Sequence, residues 1–198
     1  MIPHVIRQYK IDQGALEVEY IEDCFHEFST KKKTAREIVD RLRGREHLIL
    51  LSMAPSPDDP TQLIPVAYKV GHELRVRETD PKLLELVVQV KGRVVFTDRK
   101  VFYSWIGGTR DQWRGEGHYR ALTEQQEEWA LRHGYHEIVV KTKNRFYSMR
   151  AALDHLRFNV VRFQPDPSDN AESKVYLSKK LGKDLLEGHR TQRTVEAF

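Results

Sequence analysis

Residues 101–122 read VFYSWIGGTRDQWRGEGHYRAL, in which an aromatic-rich apolar run leads into a loop with several glycines. The run Val101–Gly107 predicts a strand, and periodic apolar residues from about Gly115 to His133, ended by Gly134, predict a long helix. A strand, loop and helix in this order form a pyrophosphate site on physical grounds, because backbone N–H groups and the helix dipole point at the anion. Glycines let the backbone approach the phosphates without an intervening Cβ. The stretch therefore predicts a binding site for a ligand that carries phosphates.

Two familiar phosphate-binding motifs do not match this loop. A Walker loop closes on Gly-Lys-Ser/Thr, and this chain has His118 and Tyr119 at that place. A dinucleotide-binding fold needs three glycines near its first strand, and here Gly115 and Gly117 are the pair spaced by one residue. Arg114 adds a cation beside these glycines, as expected at an anion site. The loop therefore belongs to another class of phosphate-binding loop.

The segment Arg114-Gly115-Glu116-Gly117-His118-Tyr119 resembles the phosphate loop of the GNAT superfamily of acyltransferases. In that family the loop reads Arg/Gln-x-x-Gly-x-Gly/Ala, follows a strand and opens a long helix. Leu122 and Gly134 stand where the family has an anchoring Leu and a closing Gly. Residues 144–158 echo the family's Asn and short helix ending in Gly-Phe. The resemblance extends over residues 4–181.

The match to the family's loop has one departure. Tyr119 replaces the last small residue of the pattern, so we expect either a slightly rearranged loop or an outward-facing Tyr119. Starting the pattern at Gln112 would satisfy both glycine positions, but this register misplaces the anchoring Leu and the closing Gly of the helix. The register that begins at Arg114 is therefore preferred.

Two further departures lie downstream of the loop. Arg157 stands where the family has a Gly before Phe158. Leu153 occupies the place where many relatives keep a Tyr as the general acid for the leaving thiolate, so this role is unfilled at its usual position. Leu153 is the main support for an alternative function, a non-catalytic acyl-CoA-binding or regulatory protein of the same fold.

The order of the predicted elements and the resemblance together imply a mixed α/β (α+β) fold. Its central sheet is expected to be mostly antiparallel and splayed, with about four flanking helices. We expect a single domain over residues 1–181 with an insertion at residues 75–100, and a polar C-terminal tail over residues 182–198. The length of the insertion suggests that it shapes the acceptor site or the interface of a homodimer.

Local signals predict individual elements within this architecture. Thr34, followed three residues later by Glu37, predicts a capping box at the start of a helix. Gly71 suggests a bulge in a predicted strand. Within the insertion, Asp80-Pro81 predicts the start of a short helix, whereas the alternative is two strands, Leu86–Val90 and Arg93–Thr97, around Lys91-Gly92. We favour a short helix followed by the strand Arg93–Thr97.

The GNAT resemblance implies acetyl-CoA as the cosubstrate and no metal ion. It also implies transfer of the acetyl group to a primary amine, on a small molecule or a peptide, by direct attack in a ternary complex. Backbone N–H groups around Ile106–Thr109 are implied as donors to the oxyanion that forms. The implied cofactor contacts are Gly107, Gly108, Thr109, Arg114, Gly115, Glu116, Gly117, His118, Tyr119 and Asn144.

Three side chains are candidates for roles around the reacting groups. Glu73 is a candidate base on a strand near the acceptor, and its alternative role is that of a solvated or salt-bridged carboxylate. Tyr147 is a candidate acid for the thiolate, with packing or lining of the pantetheine channel as the alternative. Asn144 is expected to contact the pantetheine amides, and it could also cap the helix that begins near Tyr147.

Composition narrows the functional class further. The chain carries 33 basic and 29 acidic residues, interleaved along its length, so its net charge of +4 does not favour nucleic acid as a partner. A basic nucleic-acid or ribosome-associated module remains a third alternative. The longest apolar runs, such as Leu48–Leu51, are too short to span a membrane. The single cysteine, Cys24, which lies in a segment of helical periodicity over residues 15–28, fits a cytoplasmic protein.

Overall fold

The described part of the chain contains seven strands, with α-helices between several of them. A computed structural model describes residues 5–11, 19, 21–22 and 33–185. The predicted helix over residues 15–28 lies largely outside this part of the chain, as do Cys24 and the tail beyond residue 185. The described strands are β1 (Val5–Tyr9), β2 (His47–Pro55), β3 (Leu63–Leu74), β4 (Lys100–Thr109), β5 (Tyr135–Lys143), β6 (Asn159–Gln164) and β7 (Lys174–Lys180). Four α-helices are described over their full length, and they are α1 (Ala35–Leu42), α2 (Pro81–Val90), α3 (His118–Arg132) and α4 (Tyr147–His155). Short 3-10 turns cover Asp111–Trp113 and Asn170–Glu172.

The strands form a seven-stranded sheet in the order β1-β2-β3-β4-β5-β7-β6. The ladders β1–β2, β2–β3, β5–β7 and β6–β7 are antiparallel, whereas β4 and β5 pair in parallel. The parallel ladder covers Lys100–Ser104, and β4 continues beyond it to Thr109. The predicted mixed α/β class with a mostly antiparallel sheet is therefore confirmed.

Contacts group the residues into two units. Of the described residues, those within Met1–His72 and Trp105–Gln126 form the first unit, and those within Glu73–Ser104 and Glu127–Phe198 form the second. Both β4 and α3 contribute residues to each unit. The single domain expected over residues 1–181 stays a prediction.

Helix α1 of the first unit begins as its sequence predicts. The Thr34 side chain accepts a hydrogen bond from the Glu37 backbone N–H at 3.1 Å, and the Glu37 carboxylate accepts one from the Thr34 N–H at 2.9 Å. This reciprocal pair satisfies two of the N–H groups that a helix start leaves unpaired. Ile38 and Leu42 then pack into a buried cluster with residues of β2 and β3. The predicted capping box is confirmed.

The irregularity in the β2–β3 ladder lies elsewhere than predicted. Gly71 pairs regularly with Leu48, so the expected bulge at Gly71 is wrong. The register shifts between Ser52 and Met53, which face Ala67 and Pro65 and leave one extra residue, Val66, in β3. Proline has no backbone N–H to give to a ladder, and it is therefore tolerated at such bulges. The freed Val66 carbonyl accepts a hydrogen bond from the backbone N–H of Arg110 at 2.9 Å.

The insertion at residues 75–100 contributes α2 to the second unit. The Asp80 side chain accepts hydrogen bonds from the backbone N–H groups of Lys82 and Leu83, so the predicted helix start is confirmed. The buried residues of α2 recur at helical spacing, and they are Leu83, Leu86, Val87 and Val90. Glu85 binds Lys174 of β7 at 2.7 Å, and this hydrogen bond lowers the pKa of the Glu85 carboxyl.

The strand predicted over Arg93–Thr97 is wrong. The backbone N–H groups of Arg93 and Val94 both donate to the Val90 carbonyl at 2.9 Å, so the chain continues the last turn of α2. Val94 is buried and Val95 is 49% exposed. The last carbonyls of a helix lack partners within the helix, and here the turn after α2 supplies two donors to the Val90 carbonyl. The buried Val94 and the exposed Val95 therefore belong to this turn and not to a strand.

Helix α4 ends in a Schellman motif with an arginine at the glycine position. The Phe158 N–H donates to the Leu153 carbonyl at 2.9 Å, and the Arg157 N–H donates to the Asp154 carbonyl at 2.8 Å. Arg157 has a φ of 62°, in the left-handed region that favours glycine. Phe158 and Leu153 are both buried, as the motif requires. Arg157 thus adopts the backbone conformation of the Gly that the GNAT pattern has at this place.

Replacing Arg157 with glycine is therefore expected to stabilise the protein. A left-handed non-glycine residue costs about 1–2 kcal/mol, and the entropy of glycine in the unfolded chain returns part of this, so we expect a net gain of about 0.5–1 kcal/mol. Thermal melting should show a rise of a few degrees. Arg157→Ala keeps the strained φ and removes the guanidinium, so an equal rise in that variant would show that the backbone is not the cause.

Candidate functional site

The loop between β4 and α3 has the geometry of a helix N-terminus open to an anion. After the 3-10 turn the chain passes Gly115 and Gly117, both with a φ of 86°. Helix α3 begins at His118, and its first hydrogen bond joins the Ala121 N–H to the Gly117 carbonyl at 3.0 Å. A side chain at either glycine would be strained. The loop therefore needs both glycines for its own conformation, apart from any ligand.

The Arg114 side chain, which carries the positive charge of the loop, is bound by Asp111 and by the Thr109 carbonyl. The Arg114 guanidinium contacts Asp111 Oδ1 at 2.6 Å and donates from Nε to the Thr109 carbonyl at 3.3 Å. Its side chain is about half exposed, so it remains accessible to a second anion. These contacts tie the guanidinium to the segment between the end of β4 and the loop.

His118 joins the loop to β2 through its side chain. Its ring is buried, with Nδ1 3.0 Å from Ser52 Oγ and Nε2 3.3 Å from Glu116 Oε2. Both ring nitrogens are therefore engaged within the protein. The predicted contact of His118 with the cofactor through its backbone is compatible with this anchoring role.

Tyr119 turns inward, so the outward orientation considered from the sequence is wrong. The Lys69 ammonium lies 4.2 Å from the centre of the Tyr119 ring. Lys69 also donates a hydrogen bond to Thr123 Oγ1 at 2.7 Å, one turn further along α3. The sequence argument did not single out Lys69, although a lysine within the otherwise apolar segment PVAYKV of β3 was a visible signal.

Gly107 lies where β4 and β3 approach closely. A Cβ added at Gly107 would lie 3.1 Å from the Tyr68 carbonyl oxygen, which is a tight contact with backbone. Gly107 is itself exposed, as its neighbours Gly108 and Thr109 partly are. The last residues of β4 therefore present main chain with little side-chain cover, which suits a site that works through backbone N–H groups.

Trp105, also on β4, is part of the packing of the first unit. It packs against the buried cluster that includes Ile38 and Leu42. The Arg41 guanidinium lies 5.0 Å from its ring centre, and the His72 ring meets it edge-on at 5.7 Å. Trp105 therefore has a structural role in the first unit.

Asn144, in the second unit, has its side chain engaged by the protein. Its Nδ2 donates to the Asn170 carbonyl at 3.0 Å, and its Oδ1 accepts from Arg150 Nη1. Phe146 is the N-cap of α4 and has no side-chain cap, so the predicted capping by Asn144 is wrong. The amide instead ties the end of β5 to the segment before β7. Its contact with pantetheine stays a prediction.

The candidates for proton transfer differ in their surroundings. Glu73 Oε2 lies 2.8 Å from both Nε and Nη2 of Arg75, so the carboxylate is salt-bridged, as the alternative interpretation held. Tyr147 is the first residue of α4 and is 67% exposed. Leu153 is fully buried, so its place in α4 is a core position.

The fold of this chain is similar to that of several solved structures. Arabidopsis thaliana NAA60 in complex with acetyl-CoA superposes with a TM-score of 0.65 at 10% identity, over 90% of this chain and 99% of that one. The NatC complex bound to Gag peptide and CoA gives 0.62 at 15% identity, over 91% and 100%. A protein assigned to the GNAT family from Desulfovibrio desulfuricans gives 0.61 at 12% identity, over 91% and 100%. The chain has the GNAT fold.

The GNAT fold confirms the resemblance drawn from the loop at Arg114–Tyr119. Neither the family models nor the curated protein sequences give a significant match. Among the residues that the structure describes, no helix is long and apolar enough to cross a membrane. The same part of the chain holds no group of three or more His, Cys, Asp or Glu side chains arranged for a metal ion.

Proposed function

We propose that this protein is an N-acetyltransferase that transfers an acetyl group from acetyl-CoA to a primary amine. The observation that carries this proposal is the loop at Gly115 and Gly117, which opens α3 directly after β4. Two proteins of the same fold are known with acetyl-CoA or CoA bound. The residues present fit this ligand, because the loop offers main-chain N–H groups, two glycines and a guanidinium to a pyrophosphate.

In this proposal the main chain does most of the chemical work. The loop N–H groups at the start of α3 bind the pyrophosphate, and Arg114 adds its positive charge. The exposed backbone of Gly107–Thr109 donates to the carbonyl oxygen of the thioester, which becomes negative as the amine attacks. The neutral amine nitrogen forms a bond to the carbonyl carbon and then loses one proton to water. The carbon–sulfur bond breaks, and the thiolate leaves with the electron pair of that bond.

The states of the candidate base and of the usual acid position favour an acceptor that loses its proton easily. Glu73 is paired with Arg75, and the usual place of the acid is filled by Leu153, which is buried. A peptide α-amine has a pKa near 8, whereas a lysine amine has a pKa above 10, so the α-amine needs far less help from a base at neutral pH. We therefore propose a peptide N-terminus as the acceptor. We also propose the cytoplasm as the location of the protein. The leaving thiolate takes a proton from water, because a thiol with a pKa near 8.5, the value of a cysteine thiol, is mostly protonated at neutral pH.

The decisive experiment is release of free thiol from acetyl-CoA with peptides as acceptors. We expect release with a peptide that has a free N-terminus, rising from pH 6 to pH 8 as the α-amine loses its proton. The control is the same peptide with a formylated N-terminus, which should give no release. Binding of acetyl-CoA without release for any amine would favour a non-catalytic acyl-CoA-binding protein. If the protein does not bind acetyl-CoA, the proposed function is wrong.

A further inference from the structure

A buried lysine lies beneath the first turn of α3. Lys69 is in the middle of β3 and is 2% exposed, and its ammonium group donates to Thr123 Oγ1 at 2.7 Å. The same ammonium faces the Tyr119 ring at 4.2 Å. Burial of an ammonium group is costly unless polar groups compensate it. The Thr123 hydroxyl and the Tyr119 ring, both near the start of α3, provide such compensation for the ammonium of Lys69.

A chain of hydrogen bonds leads from Lys69 to the backbone of that first turn. Thr123 Oγ1 accepts from Lys69 and donates in turn to the Tyr119 carbonyl at 2.7 Å. Hydrogen bonds in series polarise and strengthen one another. Tyr119 is the second residue of α3 and lies two residues after Gly117. The ammonium is therefore linked through Thr123 to the backbone of the turn whose N–H groups are proposed to bind the phosphates.

The stem of Lys69 lies close to Gly107, in the other half of the proposed site. A Cβ added at Gly107 would lie 3.5 Å from Lys69 Cγ. The lysine therefore passes beside the exposed end of β4, where the thioester is proposed to bind. Its head reaches the turn where the pyrophosphate is proposed to bind.

We propose that Lys69 is a positioning residue for acyl-CoA, which holds the first turn of α3 against β3 and keeps the N–H groups of the loop directed at the pyrophosphate. This inference rests on the proposed function. It also accounts for Tyr119, because a small residue at that position would offer no ring to the ammonium. Thr123 and Tyr119 are then partners of Lys69 in this role.

The test compares Lys69→Met with the wild type in two measurements. The methionine keeps an unbranched stem and removes the ammonium. Amide hydrogen exchange of the ligand-free protein should become about tenfold faster over residues 118–124 and stay unchanged in α2. Calorimetry should show about tenfold weaker binding of CoA, and binding of pantetheine, which lacks the pyrophosphate, should stay within about twofold. Thr123→Val should reproduce both effects, and Lys174→Met, far along the chain in β7, should reproduce neither.

Each other outcome overturns the inference. Unchanged exchange over residues 118–124 would show that Lys69 does not hold the turn. Faster exchange in α2 as well, or equal weakening of CoA and pantetheine, would show a general structural role. If the wild type binds no CoA, the proposed function fails, while the exchange measurement still decides whether Lys69 holds the turn.

Discussion

Replacing Gly117 with alanine is expected to abolish the stabilisation of this protein by acetyl-CoA. In the wild type, a ligand at 100 times its dissociation constant adds about 2.7 kcal/mol to the free energy of unfolding, which corresponds to a rise in melting temperature of roughly 5–10 °C. An added Cβ at Gly117 meets no described atom within 4 Å, so it would stand in open space at the loop where the phosphates are proposed to bind. Thermal melting with and without acetyl-CoA measures the effect.

Gly44 provides a matched control for the strain that the alanine introduces. Gly44 also has a positive φ, 69° against 86° for Gly117, and an added Cβ there likewise meets no described atom within 4 Å. Alanine at either position should cost the ligand-free protein about 1–2 kcal/mol. The Gly44→Ala protein should keep the full response to acetyl-CoA, because Gly44 lies outside the loop. An equal loss of response in both variants would mean that strain alone explains it.

Replacing Leu153 with alanine is expected to destabilise the protein by about 2–5 kcal/mol. Leu153 is fully buried in α4 and its carbonyl accepts the hydrogen bond of the Schellman motif. Truncation removes a fully buried apolar side chain and leaves a cavity in the core. Chemical denaturation measures the loss of free energy, and the response to acetyl-CoA should remain.

His155→Ala on the same helix is the control for Leu153→Ala. His155 is exposed, so its replacement should change the free energy of unfolding by less than about 0.5 kcal/mol. The result separates two roles for position 153. If Leu153→Ala left stability unchanged and weakened acetyl-CoA binding, Leu153 would face the cofactor, and the core position assigned to it would be wrong.

The successful predictions from sequence rest on interactions between neighbouring residues. The Thr34–Glu37 capping box and the Asp80 helix start each depend on hydrogen bonds that span two or three residues. Gly134 ends α3 with a φ of 76°, a conformation that the residue type itself favours. The order of strand, glycine loop and helix around Gly117 is likewise local, and it was sufficient to indicate the GNAT fold.

The failed predictions depend on which strands and helices meet. The bulge lies at Val66 and not at Gly71, because the pairing partner decides where a strand gains an extra residue. The segment Arg93–Thr97 is a turn, because donors are needed at the end of α2. The Asn144 amide binds Asn170, which lies 26 residues away. None of these partners is visible in the neighbouring sequence.

The amino-acid sequence alone was enough to predict the fold class, and it marked the loop whose two glycines both adopt a positive φ, because conformational preference and helix capping act between neighbours. The support of that loop is a tertiary property. Lys69 meets Thr123 across 54 residues, and Ser52 meets His118 across 66. Such pairs form when the packing of α3 on β2 and β3 excludes water, because burial then forces each polar group to find a partner. The inward Tyr119 and the buried Leu153 were decided at this level.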